Sequence, residues 1–423
     1  MTVINLTKLW DKLNTIAFKA IFIALNKAQV EELARAAQQR QAEGRALSPI
    51  DGELVAIKGN IALQGLATTA GSLAYATGVE PDNAPAVQRV IDAGAIPIGP
   101  ANMTEFAFSG LGLNPHYGNS PNALDAESVP GGSSSGCASA ISSGICDLAI
   151  GSDTSGSTRV PAAFQGICGY RATMGRYPME GVVPLGASLD VLGPMARTVH
   201  GIRKLDAVMS AQAKHVGKSL RAQPFQLVVP DMEGLGISDE IMRMFDVCIE
   251  TLFDAGVDVV RKDLPAILRT HQLFAEYGTL VSVEAREQVC RFLDLSDAQI
   301  DPQIKSRLEG VLPMTAKQVA YLRHQRAILQ AEIEAQLQGG FLLMPTVPEL
   351  PPRVVEVEKN IESFQKANAT ALRLTMITAF LNMPSLTLPV DPSKPSHSIS
   401  VCGVAAQDEH VLAAGEEVEH LLR

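Results

Sequence analysis

Gly131-Gly132-Ser133-Ser134-Ser135-Gly136 and Asp153-Thr154-Ser155-Gly156-Ser157-Thr158-Arg159 are two serine-bearing turns that stand close together in the chain. Between them, residues 137–143 have helical character and Leu148-Ala149-Ile150-Gly151 reads as a strand. The first turn therefore precedes a helix, and the second follows a strand. That alternation points to α/β architecture. Upstream, Leu54-Val55-Ala56-Ile57 is a short apolar run that ends on Lys58. A strand that delivers a lysine from its carboxyl end fits this pattern. Two serines and a lysine can form a proton-transfer chain that needs no histidine.

Working outward, residues 28–45 read as an amphipathic helix. Val30, Leu33, Ala34 and Ala37 share one face, Glu31, Glu32, Gln38 and Arg40 lie elsewhere, and Gly44 is a stop. Residues 84–93 read as a helix and 96–99 as a strand. From about 201 to 340, charged amphipathic helices dominate, with strands near 225–229 and 257–260 and a long helix over 316–337. Strand signals return at 341–344, 385–389 and 398–401, and residues 407–422 close the chain as a helix. No fixed-period repeat, low-complexity tract or linker interrupts it, so one compact domain is expected over 1–423.

Composition narrows the field. The chain has 423 residues, 46% of them hydrophobic, and a net charge of −10. That charge offers no basic surplus for nucleic acid or anionic membranes. Six cysteines are scattered with no Cys-x-x-Cys pair, which suggests reduced thiols and a cytoplasmic setting. No His-Glu-x-x-His or other clustered ligand set suggests zinc. The apolar segment 16–25 is too short to span a bilayer and is interrupted by Lys19. A core helix or strand is the simpler reading than a secretion signal, because no small-x-small cleavage site follows.

Each element also has an ordinary explanation. Lys58 could be a lysine snorkelling from a strand end. Gly/Ser runs commonly mark turns or flexible segments. The first run fails as a phosphate loop, since no Gly-Lys-Ser/Thr follows. Gly-x-Ser-x-Gly is absent around Ser157. What survives is a serine site of another type. Its lysine could act as a base only if burial lowered its pKa from about 10.4.

The chain resembles the amidase signature family across nearly its whole length. The matching stretches include Gly131–Gly136, Gly151–Pro161, Gly166-Ile167-Cys168-Gly169-Tyr170 and Gly193-Pro194-Met195-Ala196-Arg197-Thr198. The combination of Gly-Gly-Ser-Ser with Gly-Ser-x-Arg-x-Pro at this spacing is specific. The resemblance implies a mixed central sheet with helices on both faces: a core over about 50–200, a helical covering section over about 201–340, and a return to the core over 341–423. It implies hydrolysis of a small carboxamide through an acyl-serine, with no cofactor and no metal. It places the nucleophile at Ser157, the bridging serine at Ser133 after a cis bond from Gly132, and the base at Lys58. The amides of Thr154, Ser155, Gly156 and Ser157 would form the oxyanion hole. Ser134, Asp153 and Arg159 would support the site. Met103, Phe106, Phe108, Arg176, Tyr177 and Asp190 are candidate pocket residues, each equally explicable as core.

Three departures stand out. Gly59 occupies the place of the family's usual aspartate, Ser155 that of a commoner glycine, and Tyr170-Arg171-Ala172-Thr173 that of a frequent Lys-Pro-Thr ending. Gly59 could weaken a supporting hydrogen bond near the lysine. Two rival functions follow: an amidotransferase component of the A type that hands ammonia to a partner, and a non-catalytic binding homologue. The implied partner is a small amide substrate, with homodimer formation left open and neither nucleic acid nor membrane expected.

Overall fold

Ten strands build one mixed sheet in the order β2-β1-β3-β5-β4-β9-β10-β8-β6-β7. They are β1 (Leu54–Lys58), β2 (Ile96–Ala101), β3 (Leu148–Asp153), β4 (Cys168–Arg171), β5 (Val191–Ala196), β6 (Gln226–Val229), β7 (Asp258–Arg261), β8 (Phe341–Pro345), β9 (Ser385–Pro389) and β10 (Ser398–Cys402). Strands β2, β1 and β3 run parallel, as do β7, β6 and β8. The strands between are joined antiparallel. The computed structural model describes residues 6–15, 18–211, 224–311 and 314–423.

Both faces of the sheet are covered, and the side chains of single strands show it. In β1, Val55 and Ile57 enter one apolar core while Leu54 and Ala56 enter another. In β3, Leu148 and Ile150 join the first core and Ala149 the second. The first is filled by helices Pro85–Asp92, Val199–Met209 and Asp408–Leu422. The second is filled by helices Lys27–Ala42 and Ser135–Ser142. Burial on both faces explains why these strands read as unbroken apolar runs rather than alternating ones.

Strands β4 and β5 and the helices Leu6–Leu13, Arg159–Phe164, Val354–Val357 and Ile361–Phe380 were not legible as such. β4 and β5 contain Gly169 and the pair Gly193-Pro194, which normally punctuate structure. Helix Ile361–Phe380 runs twenty residues between proline-rich stretches, with buried residues on several sides. The apolar segment at 16–25 becomes a 3₁₀ turn, Lys19–Ile21, followed by a bridge from Phe22 to Ala101. Its first two residues, Ile16 and Ala17, lie outside the described residues, as do 212–223 and 312–313 of the helical section. Among the described residues, no helix is long and apolar enough to cross a membrane.

The glycines in β3, β4 and β5 have a common purpose. A Cβ on Gly151 would lie 3.0 Å from Thr158 Cγ2, and one on Gly193 would lie 2.7 Å from the same atom. A Cβ on Gly169 would stand 2.6 Å from the Thr158 carbonyl oxygen and 2.8 Å from Ala162 Cβ. Three adjacent strands thus form a trough in which the Thr158 backbone and methyl are seated. That seat sets the height of the neighbouring Ser157 above the sheet. Gly169→Ala should therefore cost at least about 2 kcal/mol, because backbone rather than a mobile side chain must move. Urea unfolding measures it, and an unchanged midpoint would show that the trough is not tight.

Candidate active site

The turn after β3 is organised by one buried carboxylate. Asp153 accepts from Gly156 N at 2.8 Å, Thr158 N at 3.2 Å and Thr158 Oγ1 at 2.9 Å. Arg159 donates Nε and Nη2 to it at 3.0 and 3.1 Å. Arg171 reaches the Asp153 carbonyl at 2.5 Å and its carboxylate at 3.4 Å. Burial alone would push this carboxyl up, but the Arg159 and Arg171 guanidiniums outweigh it and hold the group below the usual carboxylate range. Gly156 has φ +143°, and a Cβ there would run into Thr375 Oγ1 of helix Ile361–Phe380. Thr375 Oγ1 donates instead to the Ser155 carbonyl at 2.8 Å, and Arg159 Nη1 donates to Thr378 Oγ1 at 2.7 Å. The unread helix is therefore part of the turn's support.

Lys58 ends β1 with no solvent exposure. Its Nζ lies 2.7 Å from Ser133 Oγ, 2.9 Å from Ser152 Oγ and 3.2 Å from the Ser152 carbonyl. Asn60 Nδ2 also donates to Ser152 Oγ, at 3.1 Å. Burial pushes the ammonium down to about 7, against the opposing pull of Cys137, Asp153 and Asp190. A neutral amine has two N–H donors and one lone pair. With the donors on the two Ser152 oxygens, the lone pair is left for the Ser133 hydroxyl. Ser152 was missed from sequence because it falls between the strand signal, which ends at Gly151, and the serine turn, which begins at Asp153.

The sequence-predicted residues fall into three groups. Lys58, Ser133 and Ser157 come together: the Gly132–Ser133 bond is cis, and Ser134 N donates to the Ser157 carbonyl at 3.2 Å. The Ser133 and Ser157 hydroxyls are not hydrogen-bonded to each other. Of the four expected oxyanion amides, Gly156 N is taken by Asp153. Among the described residues, the Ser155 and Ser157 amides have no acceptor in the protein. Thr154 directs its hydroxyl to Asp190 at 2.6 Å, and Asp190 also accepts from Leu185 N at 2.9 Å.

The pocket candidates separate. Phe108 lines a narrow cavity of ≈ 30 Å³ with Ser155, Ser157, Leu185, Arg307 and Met376. Phe106 packs in an aromatic cluster with Tyr75 and Phe292. Met103 is buried beside Gly59. Arg176 and Tyr177 are engaged elsewhere, both hydrogen-bonded to Asp206. The Gly59 departure has a steric basis: a Cβ there would lie 2.9 Å from the Ala101 carbonyl and 3.0 Å from Ile23 Cδ1. Among the described residues, no group of three or more His, Cys, Asp or Glu is placed to hold a metal ion.

The Amidase family model matches residues 6–412. A 2-amino-5-chloromuconic acid deaminase from Comamonas testosteroni is 30% identical over 391 residues, covering 90% of this chain and 84% of that protein. The A component of a glutamyl-tRNA(Gln) amidotransferase from Halobacterium salinarum is 29% identical, covering 89% of this chain and 97% of that protein. A crystal structure of an amidase superposes with a TM-score of 0.86 at 28% identity, covering 98% of this chain and 95% of that one.

The buried lysine carries a stability signature with a definite sign. Its folded pKa is about 7 and its ordinary value is 10.5, so between these the unfolded chain holds a proton that the folded chain does not. Stability then rises with pH through that window, and the penalty is complete below it. Relative to Lys58→Met, the natural chain should gain about 2.5 kcal/mol between pH 7.5 and 9.5. Urea unfolding of both proteins at the two pH values reads this, and a constant difference would mean that Lys58 is protonated in the fold.

Proposed function

This chain belongs to the amidase family and is an amidohydrolase, and we propose that it cleaves a small linear carboxamide through an acyl-Ser157 ester. The observation that carries the reading is the fully buried Lys58 whose Nζ lies 2.7 Å from the Ser133 hydroxyl. Ser157 Oγ attacks the amide carbon, passing its proton to Ser133 as the Ser133 proton passes to neutral Lys58. The carbonyl oxygen becomes an oxyanion, received by the Ser155 and Ser157 amides. Collapse breaks the C–N bond. The proton on Lys58 returns through Ser133 to the leaving nitrogen, releasing ammonia or an amine. Water then attacks the ester by the same proton route, giving the carboxylate and free Ser157.

Ser152 and Asn60 position Lys58 in this scheme, and Ser134 and Asp153 position the Ser157 turn. A cytoplasmic setting belongs to the same reading, supported by six unpaired thiols, five of them buried. The amidotransferase alternative is supported by several relatives of that name, one of them matched over nearly its whole length. It predicts ammonia release only with a partner and glutamine, whereas the amidase reading predicts release by the isolated chain.

Activity of the isolated chain should rise tenfold per pH unit below about 7 and level off above it, because the base works only when unprotonated. Lys58→Arg should not restore a dead Lys58→Ala variant, since arginine keeps its proton. Ser157→Ala should lose at least about a thousandfold in kcat. Mass analysis should find a fluorophosphonate adduct on the Ser157 peptide. Adduct at another serine, or a flat pH profile across 6 to 8, would remove the proposed roles.

A further inference from the structure

Arg307 is a cation at the substrate cavity whose partner is missing from the protein. It sits on helix Pro302–Glu309, whose first residues are fixed by the core. Asp301 N donates to buried Glu105 Oε2 at 2.7 Å, and Asp301 caps the helix through Gln303 N at 2.8 Å. His116 Nε2 meets Glu105 Oε1 at 3.1 Å. At the other end, the guanidinium stacks 4.0 Å from the centroid of the Phe108 ring and donates Nη1 to the Phe108 carbonyl.

Only that one donor is used. Among the described residues, no carboxylate lies within ion-pair distance of Arg307, and its other N–H groups have no protein acceptor. Other arginines near the site differ. Arg159 and Arg171 share Asp153, and Arg326 donates to the carbonyls of Phe380 and Ser188. Burial pushes the Arg307 guanidinium down to about 10, which leaves it charged at neutral pH. A half-buried charge with no counter-ion is costly unless a ligand supplies one.

Its position says which ligand. Arg307 lines the narrow cavity together with Ser155 and Ser157. It also lines the wider outer cavity of ≈ 830 Å³, along with Phe108, Thr279 and Ser282. The junction of the two therefore has a guanidinium at its wall. The acidic residue of the outer cavity, Glu276, is exposed and makes no ion pair with Arg307. With its face on Phe108 and one N–H on a carbonyl, the guanidinium keeps a free edge. Such an edge suits a planar carboxylate held by two parallel hydrogen bonds.

We propose that Arg307 is the subsite for a carboxylate carried by the substrate itself, so that the amide cleaved at Ser157 is the amide of a short dicarboxylic acid. This rests on the amidase reading above and narrows its substrate class. Arg307 is a specificity residue in this scheme and takes no part in proton transfer. The bland alternative is that Arg307 only clamps its helix against Phe108.

Two measurements on the full chain separate these. The first compares ammonia release from succinamate with release from butyramide, its neutral analogue, by the natural chain, Arg307→Met and Arg307→Lys. In Arg307→Met, the succinamate-to-butyramide preference in kcat/KM should fall by about 30-fold or more, carried by KM, as expected for a lost charged hydrogen-bonded pair. Arg307→Lys should recover part of it. A preference that does not change, or equal losses on both substrates, would overturn the subsite and leave the clamp. The second is calorimetric titration of succinate into Ser157→Ala and into Ser157→Ala/Arg307→Met, with thermal melts to confirm folding. Succinate binding should be lost with Arg307. Binding that does not depend on Arg307 overturns the subsite whatever the turnover. Arg307-dependent binding in a chain that releases no ammonia from any amide would instead overturn the amidase reading alone. Should Arg307→Met fail to melt cooperatively, Arg307→Gln, which also removes the charge, takes its place in both measurements and the same outcomes decide.

Discussion

The Asp153 carboxylate is the constraint on which the site depends. It receives two backbone amides, a threonine hydroxyl and two guanidiniums inside the protein. A buried ion cluster of this kind is weak evidence for stability, since desolvation consumes most of the attraction. It is better evidence for geometry. Each donor comes from a different point on or around the turn, so the carboxylate ties the end of β3, the start of helix Arg159–Phe164 and strand β4 into one arrangement. Gly156 N is used by Asp153, whereas among the described residues the flanking amides of Ser155 and Ser157, two residues that line the cavity, have no acceptor in the protein. An oxyanion hole needs donors fixed before charge develops, because reorganisation during the reaction would cancel their benefit.

Lys58 shows the opposite compromise. A lysine in a buried strand end loses the water that favours its charge, and among the described residues no carboxylate forms an ion pair with it, the pull of Asp153 and Asp190 being too weak to offset burial. The fold accepts that penalty and in return holds an amine with basicity near neutral pH. Ser152 makes the amine useful as well as neutral. By occupying both N–H groups it removes the rotational freedom that would otherwise turn the lone pair away from Ser133. Stability is thus spent at the residue where the proposed proton transfer requires it.

The sequence was legible where local and tertiary forces agree. β1 and β3 emerged because their apolar runs suffice to identify them, and helix Ala316–Leu337 because it is rich in the strong helix formers Ala, Gln, Glu and Arg. β4 and β5 did not, because Gly169, Gly193 and Pro194 carry turn signals. The room that Gly169 and Gly193 leave for Thr158 is visible only once three strands lie side by side. Helix Ile361–Phe380 was hidden for a related reason: it is buried on several sides, so it lacks the polar stripe that marks an amphipathic helix. The lysine and both serines could be found from a resemblance in motif. Arg307 could not. It lies in an ordinary charged helix, Pro302–Glu309, and only its lack of an acidic partner in space distinguishes it from any surface arginine.

That contrast locates the division of labour in the fold. The residues proposed for chemistry come from strand ends and turns of the central sheet, where backbone and buried charge fix them to within a hydrogen bond. The residues that line the approach to Ser157, including Thr279, Val281, Ser282 and Arg307, come from the helical covering section. Gly59 fits the same logic. Its place is closed by Ile23 and the Ala101 carbonyl, so a side chain there could not reach the lysine without moving the N-terminal segment. The polar neighbours of Lys58 are drawn instead from Ser152 and, through it, Asn60. A change beside the lysine can therefore leave the proton route intact, since the lysine is oriented from the neighbouring strand rather than from its own.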